Sequence, residues 1–411
     1  MQIFLVNDFK RVELPEEAIG DFYSGESYVI IYFYVWKNKD CHILYYWQGK
    51  NSTILGKGTS AALTIELDDL LKKTASMSKE IRVVQGKEPK HFLTIFKDKF
   101  VVHSGKDPLS DETVRPDARA RMYRVQGEAP EDVWAVETRA SGELLNSCHA
   151  FCVVAPENKK TYIWSGKYSN ASEREYAKKA IAARGGETVE VSEGAEPGDF
   201  WALVGGKREY ATQAAGVSRR YEPRLFQCSI SSGAFTVEEV RRFTQDDLEH
   251  GDAVILDTYS AVYVWVGFKS HPTECKLAME TAIEYAKYAA TVDKRDEKTP
   301  VLRVKDGEEP FVFSTHFQDW EPRAPKKGVA PAAQTMKGGL EDVKAILEVS
   351  NRKYSYDDLV NKRFPQGLDE SSLENYLEDS EFEKVFKMPR ENFEKLPSWQ
   401  KLSMKKKLKL F

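Results

Sequence analysis

The amino-acid sequence predicts an α+β fold, in which three similar mixed-sheet domains precede a small all-helical domain. The first observation behind this prediction is an internal repeat, in which two strands are followed by a helix and a further strand. The second is a change of pattern near the end, where phenylalanines follow helical spacing. A chain of 411 residues is long enough for several such domains.

The composition is typical of a globular protein and limits the classes of partner. Hydrophobic residues make up 41%, charged residues 30%, and the formal net charge is −4. This balance argues against nucleic acid as a partner of the whole chain, since the lysine cluster near the end of the chain is a local feature. The five cysteines form no C-x-x-C pair, and the sequence has neither a signal peptide nor an apolar run of membrane-spanning length. We therefore expect a reducing cytosolic setting and no transmembrane segment.

Each repeat begins with two strands rich in β-branched and aromatic residues, and the second strand ends in W-x-G. The motif occupies 47–49, 164–166 and 265–267. A helical pattern follows, for example over 172–183 and 273–289. We therefore expect one long helix directly after each strand pair.

A further strand in each repeat leads into G-x-E-P, at 86–89, 194–197 and 307–310. Glycine suits the turn, and proline suits the first turn of a short helix. Repeats of about 100 residues are too long for solenoid units, so each is predicted to be a complete domain. The boundaries are 1–110, 118–212 and 221–320. Chance similarity among α/β segments is the alternative, and the shared order of landmarks argues against it.

The end of the chain is predicted to be a linker and a helical domain. Residues 321–342 are poor in large apolar residues and contain several prolines and glycines, which predicts a flexible linker. The helical domain is expected over 343–411, with Phe382, Phe386 and Phe393 buried together. Asp379 or Ser380 suits the cap of one helix, and Pro389 and Pro397 suit the first turns of the next two.

These motifs resemble those of the gelsolin/villin superfamily. The stretches that carry the resemblance are DFYSGESYVIIY, RVVQGKEPKHFLTIF, LLNSCHAF, VSEGAEPGDFW, PRLFQCSISSGAFTVEEV with QDDL, and the tail from Trp399 to Phe411. The resemblance implies gelsolin-like repeats of the fourth, fifth and sixth types, each a mixed five- or six-stranded sheet between a long and a short helix. It also implies a villin-type headpiece at the end.

The same resemblance implies binding of actin and calcium, and often of phosphoinositides, without catalysis. The sequence agrees with a non-enzyme, because it contains no Walker-type loop, no H-E-x-x-H and no local nucleophile motif. Basic residues over 115–124 are the candidate contact for phosphoinositides.

For calcium, the resemblance implies a G-D or N-D pair at the first strand and a glutamate on the long helix. The third repeat has Gly251, Asp252 and Glu274 in these places. We expect this one site to bind Ca²⁺, which prefers oxygen ligands. The alternative is a turn aspartate and a solvated helix glutamate.

The other two repeats depart from the calcium pattern. In the second, Cys148 and His149 replace the pair while Glu173 remains, so we expect the site to be absent or very weak. A Cys–His zinc site with Glu173 is an alternative there. In the first, Gly25-Glu26 replaces the pair and Gly56 stands where the helix glutamate belongs, so the site should be crippled.

The resemblance also implies that the long helix of the first repeat faces actin, through Ala62, Glu66 and Asp69. Asp68 matches the residue that shares a calcium ion with actin. Leu63, Leu67, Leu70 and Leu71 form a helical stripe, part of which must pack on the domain's own sheet. An isoleucine is usual at Ala62, so monomer binding should be weakened. The alternative is an ordinary domain helix.

In the headpiece, the resemblance implies an exposed cap at Trp399 and an actin-binding patch. The patch includes Lys401, Lys406, Lys407, Phe411 and the terminal carboxylate. Glu374 and Lys405 match a buried structural ion pair. Lys409 replaces a usual glycine and Tyr376 a usual histidine. A solvated basic helix or a nuclear-localisation patch is the alternative.

These observations favour an actin-filament binding protein of villin type in the cytoplasmic actin cytoskeleton. The headpiece would bind F-actin and the repeats would bind actin, including G-actin, giving bundling or capping with partial calcium regulation. The alternative is a supervillin-like scaffold between membrane and cytoskeleton, with calcium-independent partner binding. The two degraded calcium sites favour that alternative.

Overall fold

The structure is a computed structural model. It describes residues 1–7, 9–72, 77–110, 120–155, 160–181, 186–212, 221–318, 320–322, 339–364 and 370–410. The chain divides into two compact units. The first comprises 1–224, 240–249 and 307–338, and the second comprises 225–239, 250–306 and 339–411.

The first repeat forms a mixed sheet between a long and a short helix. Its elements are β1 (Gln2–Asn7), β2 (Lys10–Glu13), β3 (Asp21–Tyr23), β4 (Ser27–Trp36), β5 (Lys39–Gln48), α1 (Ile54–Leu71), β6 (Met77–Val84), α2 (Lys90–Ile95) and β7 (Val101–His103). The described sheet has the order β2-β1-β4-β5-β6. All its neighbours are antiparallel except β5 and β6, which are parallel. A fully buried aromatic cluster that includes Phe22, Trp47 and Phe92 fills one face of the sheet.

The second repeat repeats this arrangement and takes in two strands from the first. Its elements are β8 (Arg121–Gln126), β9 (Trp134–Thr138), β10 (Ala150–Ala155), β11 (Lys160–Ser165), α3 (Ala171–Tyr176), β12 (Glu187–Ser192) and α4 (Gly198–Leu203). Helix α3 continues into the π-helical turn Ala177–Ile181. The described sheet has the order β12-β11-β10-β8-β9-β7-β3, because β7 pairs parallel with β9. Residue pattern did not predict this joining, since three-residue strands leave no clear sequence signal.

The third repeat carries the longest described helix. Its elements are β13 (Arg224–Ser229), β14 (Thr236–Val240), β15 (Ala253–Asp257), β16 (Val262–Val266), α5 (Pro272–Asp293), β17 (Val301–Lys305) and α6 (Phe311–Ser314). Segments 240–249 and 307–320, which we assigned to this repeat, belong to the first unit. Within that unit Lys87 Nζ lies 2.6 Å from Asp247 Oδ1, and Arg124 Nη1 donates to Thr315 O at 2.8 Å.

The remaining elements form the helical end of the chain. They are β18 (Glu341–Asp342), α7 (Val343–Asn351), α8 (Tyr356–Val360), α9 (Asp379–Phe386), α10 (Arg390–Glu394) and α11 (Ser398–Lys407). Strand β18 adds to the third sheet, giving β14-β13-β15-β16-β17-β18. Phe382, Phe386 and Phe393 share one buried cluster, as their spacing predicts. The linker prediction falls largely on residues 323–338, which lie outside the described residues.

Two details of the helix starts differ from prediction. Helix α9 begins at Asp379 with Glu378 as its N-cap residue, rather than with Asp379 or Ser380 in that role. The prolines Pro389 and Pro397 are N-cap residues of α10 and α11, one position before the first turn. Their backbone is extended there, and the missing proline N–H is not required by the helix.

In the first and second repeats, the two repeated motifs bond to each other. Trp47 Nε1 donates to Glu88 Oε1 and Trp164 Nε1 to Glu196 Oε1, both at 2.9 Å. The first glycine of each G-x-E-P donates its N–H to the same glutamate, at 3.0, 2.8 and 3.0 Å in the three repeats. The helices begin at 54, 171 and 272, in each case five residues after the W-x-G glycine at 49, 166 or 267. The W-x-G and G-x-E-P motifs of the first and second repeats are therefore one structural unit each.

Candidate functional site

The third repeat brings the predicted calcium residues together. Glu274 is in the first turn of α5, and its carboxylate accepts the N–H of Ala253 at 2.9 Å and that of Ile230 at 3.2 Å. Asp252 directly precedes β15 and accepts from Gln227 Nε2 at 2.5 Å. Burial, then the Glu274 and Asp252 carboxylates, raise the pKa of the Cys228 thiol to about 12. Because Asp252 is the residue before Ala253, whose N–H bonds Glu274, the two carboxylates lie at the same end of β15.

The donor set in the third repeat fits a hard cation. Two carboxylates and the adjacent carbonyl of Gly251 offer only oxygen ligands, which Ca²⁺ prefers. Glu274 is buried, and its two amide partners hold its orientation. Across the described residues, no group of three or more His, Cys, Asp or Glu residues is arranged to hold a metal ion.

In the second repeat the corresponding place contains a histidine–arginine network. His149 Nδ1 lies 3.2 Å from Glu173 Oε1, and Arg124 Nη2 lies 2.6 Å from His149 Nε2. Because Arg124 can only donate, His149 Nε2 accepts, and the neutral ring donates through Nδ1 to Glu173. A cation placed here would meet the guanidinium and would compete with His149 for Glu173.

In the first repeat, the glutamate at the degraded site bonds to a protein group beside a small cavity of about 90 Å³. Glu26 is buried and accepts from Ser110 Oγ at 2.5 Å. Burial raises the pKa of this carboxyl, which opposes a free carboxylate. Gly56 lies in the first turn of α1, where its N–H bonds the side chain of the N-cap residue Thr53 at 2.9 Å.

Helix α1 presents an exposed face with an apolar centre. Ala62, Glu66 and Asp69 are all exposed on it. Ile65, 53% exposed, and Leu70, 51% exposed, belong to the same outward side. Leu70 was predicted in the leucine stripe, but the buried side is lined by Ser60, Thr64, Leu67 and Asp68, so Leu70 falls opposite. Ile65 was missed because it stands outside the stripe.

Asp68 does not belong to this exposed face. It is 2% exposed, its Oδ2 lies 2.5 Å from Lys72 Nζ, and its Oδ1 lies 3.2 Å from His42 Nε2. Burial opposes ionisation, but hydrogen bonds from Lys72, Ser78 and His42 hold the pKa of Asp68 well below its usual range. This carboxylate is engaged internally, and the sharing of a metal between Asp68 and a partner stays a prediction.

The end domain presents an aromatic and basic surface on α11. Trp399 is 69% exposed, Lys406 and Lys407 are exposed, and Lys401 Nζ lies 6.0 Å from the Phe393 ring centroid. Lys405 instead points inward, with Nζ 2.9 Å from Glu374 Oε1. Lys409 has φ 54°, the left-handed region in which a glycine would relieve about 1 kcal/mol. Phe411 lies outside the described residues.

The basic segment proposed for phosphoinositides is only partly described. Residues 111–119 lie outside the described residues. Arg124 is buried and donates to His149, Thr315 and Phe317, so it does not present its charge to a headgroup. In the part of the chain covered by the structure, no helix has the length and apolarity needed to cross a membrane.

Comparison with known proteins identifies two families of domain. A villin headpiece domain model matches residues 376–411, and a gelsolin repeat model matches residues 8–93 and 234–313. Villidin of Dictyostelium discoideum is 33% identical over 424 residues, covering 100% of this chain and 24% of villidin. Advillin of Mus musculus is 33% identical over 433 residues, covering 100% of this chain and 52% of advillin.

A gelsolin of Xenopus laevis is 36% identical over 341 residues, covering 82% of this chain and 79% of that gelsolin. The chain thus spans about a quarter of villidin and about half of advillin, at 24% and 52% of their lengths.

Proposed function

The chain belongs to the gelsolin/villin superfamily, whose members are actin-binding structural proteins rather than enzymes, and on this premise we propose that it binds actin filaments through its headpiece. The observation that carries the proposal is the exposed Trp399 on the same helix as Lys406 and Lys407. A large exposed aromatic ring is typical of an interaction surface. The lysines would attract an acidic filament and set the register of binding.

The first repeat supplies a second actin contact. The exposed side of α1 carries Ala62, Glu66 and Asp69 around Ile65, which offers an apolar anchor one turn from Ala62. Two actin contacts on one chain would bundle filaments through multivalency, and the contact through α1 would also bind G-actin or cap filament ends. Both activities place the protein at the actin cytoskeleton in the cytoplasm.

Calcium would bind in the third repeat and give partial regulation. Gelsolin relatives are regulated by calcium in general, and Gly251, Asp252 and Glu274 provide the oxygen ligands here. A bound Ca²⁺ would neutralise two neighbouring carboxylates at the start of α5. Phosphoinositide binding would depend on residues other than Arg124, because Arg124 is buried and bonded internally.

A supervillin-like scaffold is the second candidate function. The observation that favours it is the replacement of two calcium sites by protein contacts, through His149 and Arg124 in the second repeat and through Glu26 and Ser110 in the first. Such a protein would bind its partners without responding to calcium.

Co-sedimentation with F-actin at high and low centrifugal force tests the headpiece proposal. We expect Trp399→Ala to weaken filament binding at least tenfold, since interface tryptophans contribute about 2 kcal/mol or more. The matched control is Trp36→Ala, which removes a tryptophan that is 48% exposed in the first repeat. Binding that is indifferent to Trp399, or equally weakened by the control, would refute the headpiece proposal and favour the scaffold.

A further inference from the structure

Helix α7 packs against two hydrophobic cores at once. Val343 is fully buried and Leu347 is 7% exposed, and both belong to the core under α5 in the third repeat. Ile346 packs against the same core. Val349, two residues after Leu347, packs against the headpiece core. One short helix therefore touches the third repeat with one side and the headpiece with another.

The start of α7 is anchored to the edge of the third sheet. Strand β18 pairs antiparallel with β17, through Leu302 with Asp342 and Arg303 with Glu341. Glu341 Oε2 lies 2.5 Å from Arg303 Nη2, and Glu341 Oε1 lies 3.2 Å from Lys305 Nζ. Asp342 then caps α7 by accepting the Ala345 N–H at 3.0 Å. The entry into the helix is thus fixed by backbone pairing, two ion pairs and a cap.

The end of α7 passes into the headpiece through a very short connection. Helix α7 ends at Asn351, and only Arg352 and Lys353 separate it from Tyr354. The Tyr354 N–H donates to Tyr376 O at 2.8 Å, and its side chain is buried in the headpiece core. Lys353 Nζ donates to Asn375 O at 2.9 Å. The connection itself is therefore held by the headpiece.

We propose that α7 is a rigid joint that fixes the orientation of the headpiece relative to the third repeat. The sequence led us to expect the headpiece to begin at residue 343 after a flexible linker, which would leave it free to reorient. The contacts instead place 343–347 with the third repeat, so the joint lies inside the second unit and the headpiece begins after Asn351.

The joint has a consequence for the filament-binding surface, and this consequence rests on the proposed function. Trp399 and the candidate calcium ligand Glu274 on α5 would move as parts of one body. A filament bound by the headpiece would then meet the third repeat in one orientation, whereas a flexible tether would allow many. The joint itself does not depend on actin.

Distance measurement by electron spin resonance between two labels tests the joint in the full chain. Azide-bearing residues at Lys287 of α5 and Lys384 of α9, both exposed, carry the labels and leave the five cysteines unchanged. We expect one narrow distance distribution without actin. Leu347→Glu should broaden it about twofold or more, because a released module samples the range of a flexible chain. The matched control Ala345→Glu adds the same charge to an exposed position of α7 and should leave it narrow.

A second pair of variants keeps the test decisive if Leu347→Glu unfolds the third repeat. Glu341→Arg should broaden the distribution, and combining it with Arg303→Glu should restore the narrow form. A broad distribution in the unaltered chain would overturn the joint. So would a narrow distribution that neither Leu347→Glu nor Glu341→Arg changes. A narrow distribution together with failed filament binding would refute the proposed function while leaving the joint standing.

Discussion

At the scale of single residues, the headpiece contains a buried ion pair that does not belong to its proposed binding surface. Lys405 directly precedes the exposed Lys406 and Lys407, yet its side chain is 11% exposed and meets Glu374, which is 10% exposed. Three consecutive lysines over 405–407 thus have different roles, because the helix turns one of them inward. Sequence composition alone would count all three as surface charge.

Removing Lys405 should destabilise the headpiece strongly. Lys405→Met leaves Glu374 buried without its partner, and we expect a loss of about 3–5 kcal/mol in the free energy of unfolding. Urea unfolding followed by circular dichroism would measure it. Lys406→Met is the control and should stay within about 0.5 kcal/mol, since its side chain is exposed. A similar small effect at Lys405 would show that the pair is not structural.

His316 should make the stability of the first unit sensitive to acid. Burial, then the neighbouring Arg124 guanidinium, lower the pKa of His316 from 6.5 to about 3. A base whose pKa is lowered on folding stabilises the native state above pH 6.5, and this contribution is lost as the pH falls from 6.5 towards 3. A second histidine, His149, contacts Arg124 directly, and Glu173 faces it from α3.

The measurement is the melting temperature of the chain and of His316→Gln between pH 7.5 and 4.5. We expect the melting temperature of the unaltered chain to fall more steeply with acid, because the glutamine side chain of the variant has no proton to take up. Parallel curves for the two proteins would contradict the role assigned to His316.

At the scale of elements, strand pairs and long helices could be predicted because their residue patterns are local. The W-x-G and G-x-E-P landmarks mark true element ends, although the bond between Trp47 and Glu88 could not be read from either motif alone. Strands β3, β7 and β18 were missed, since each is held by partners distant in sequence rather than by its own pattern. The outward turn of Leu70 was missed for a related reason. A stripe of leucines does not state which side of a helix the sheet will cover.

The exposed side of α1 gives a prediction about filament bundling. Ile65→Glu should leave stability unchanged within about 0.5 kcal/mol, because the side chain is 53% exposed. The variant should lower the affinity for G-actin by an order of magnitude or more, because the loss of an apolar anchor costs about 2 kcal/mol of binding free energy. Low-speed pelleting of bundles should fall, while high-speed pelleting through the headpiece continues.

Val292→Glu is the matched control for Ile65→Glu. Val292 is 62% exposed on a different helix, α5, and lies on no proposed actin surface. Equal loss of bundling in both variants would point to a general effect of added charge. Unchanged bundling in Ile65→Glu would mean that α1 is an ordinary domain helix.

At the scale of the whole molecule, three copies of one domain have diverged around one equivalent position. The third repeat has two carboxylates there, the second has an imidazole backed by a guanidinium, and the first has a glycine and a buried glutamate. The sequence predicted the identities of these residues but not their new partners. Ser110 is 84 residues from Glu26, and Arg124 is 25 residues from His149, so nothing near Glu26 or His149 in sequence indicates these partners.

This divergence predicts the calcium stoichiometry of the chain. Isothermal calorimetry should detect one tight site, and Glu274→Gln should remove it, because the neutral amide no longer balances a divalent charge. Glu173→Gln is the control on the equivalent helix position and should leave the binding heat unchanged, since His149 already occupies that carboxylate. More than one tight site, or binding that survives Glu274→Gln, would contradict the assignment. Calcium could bind Glu173 of the second repeat only by displacing His149 from it. His149 also bonds Arg124, which in turn donates to the carbonyls of Thr315 and Phe317, so the displacement would disturb this whole network.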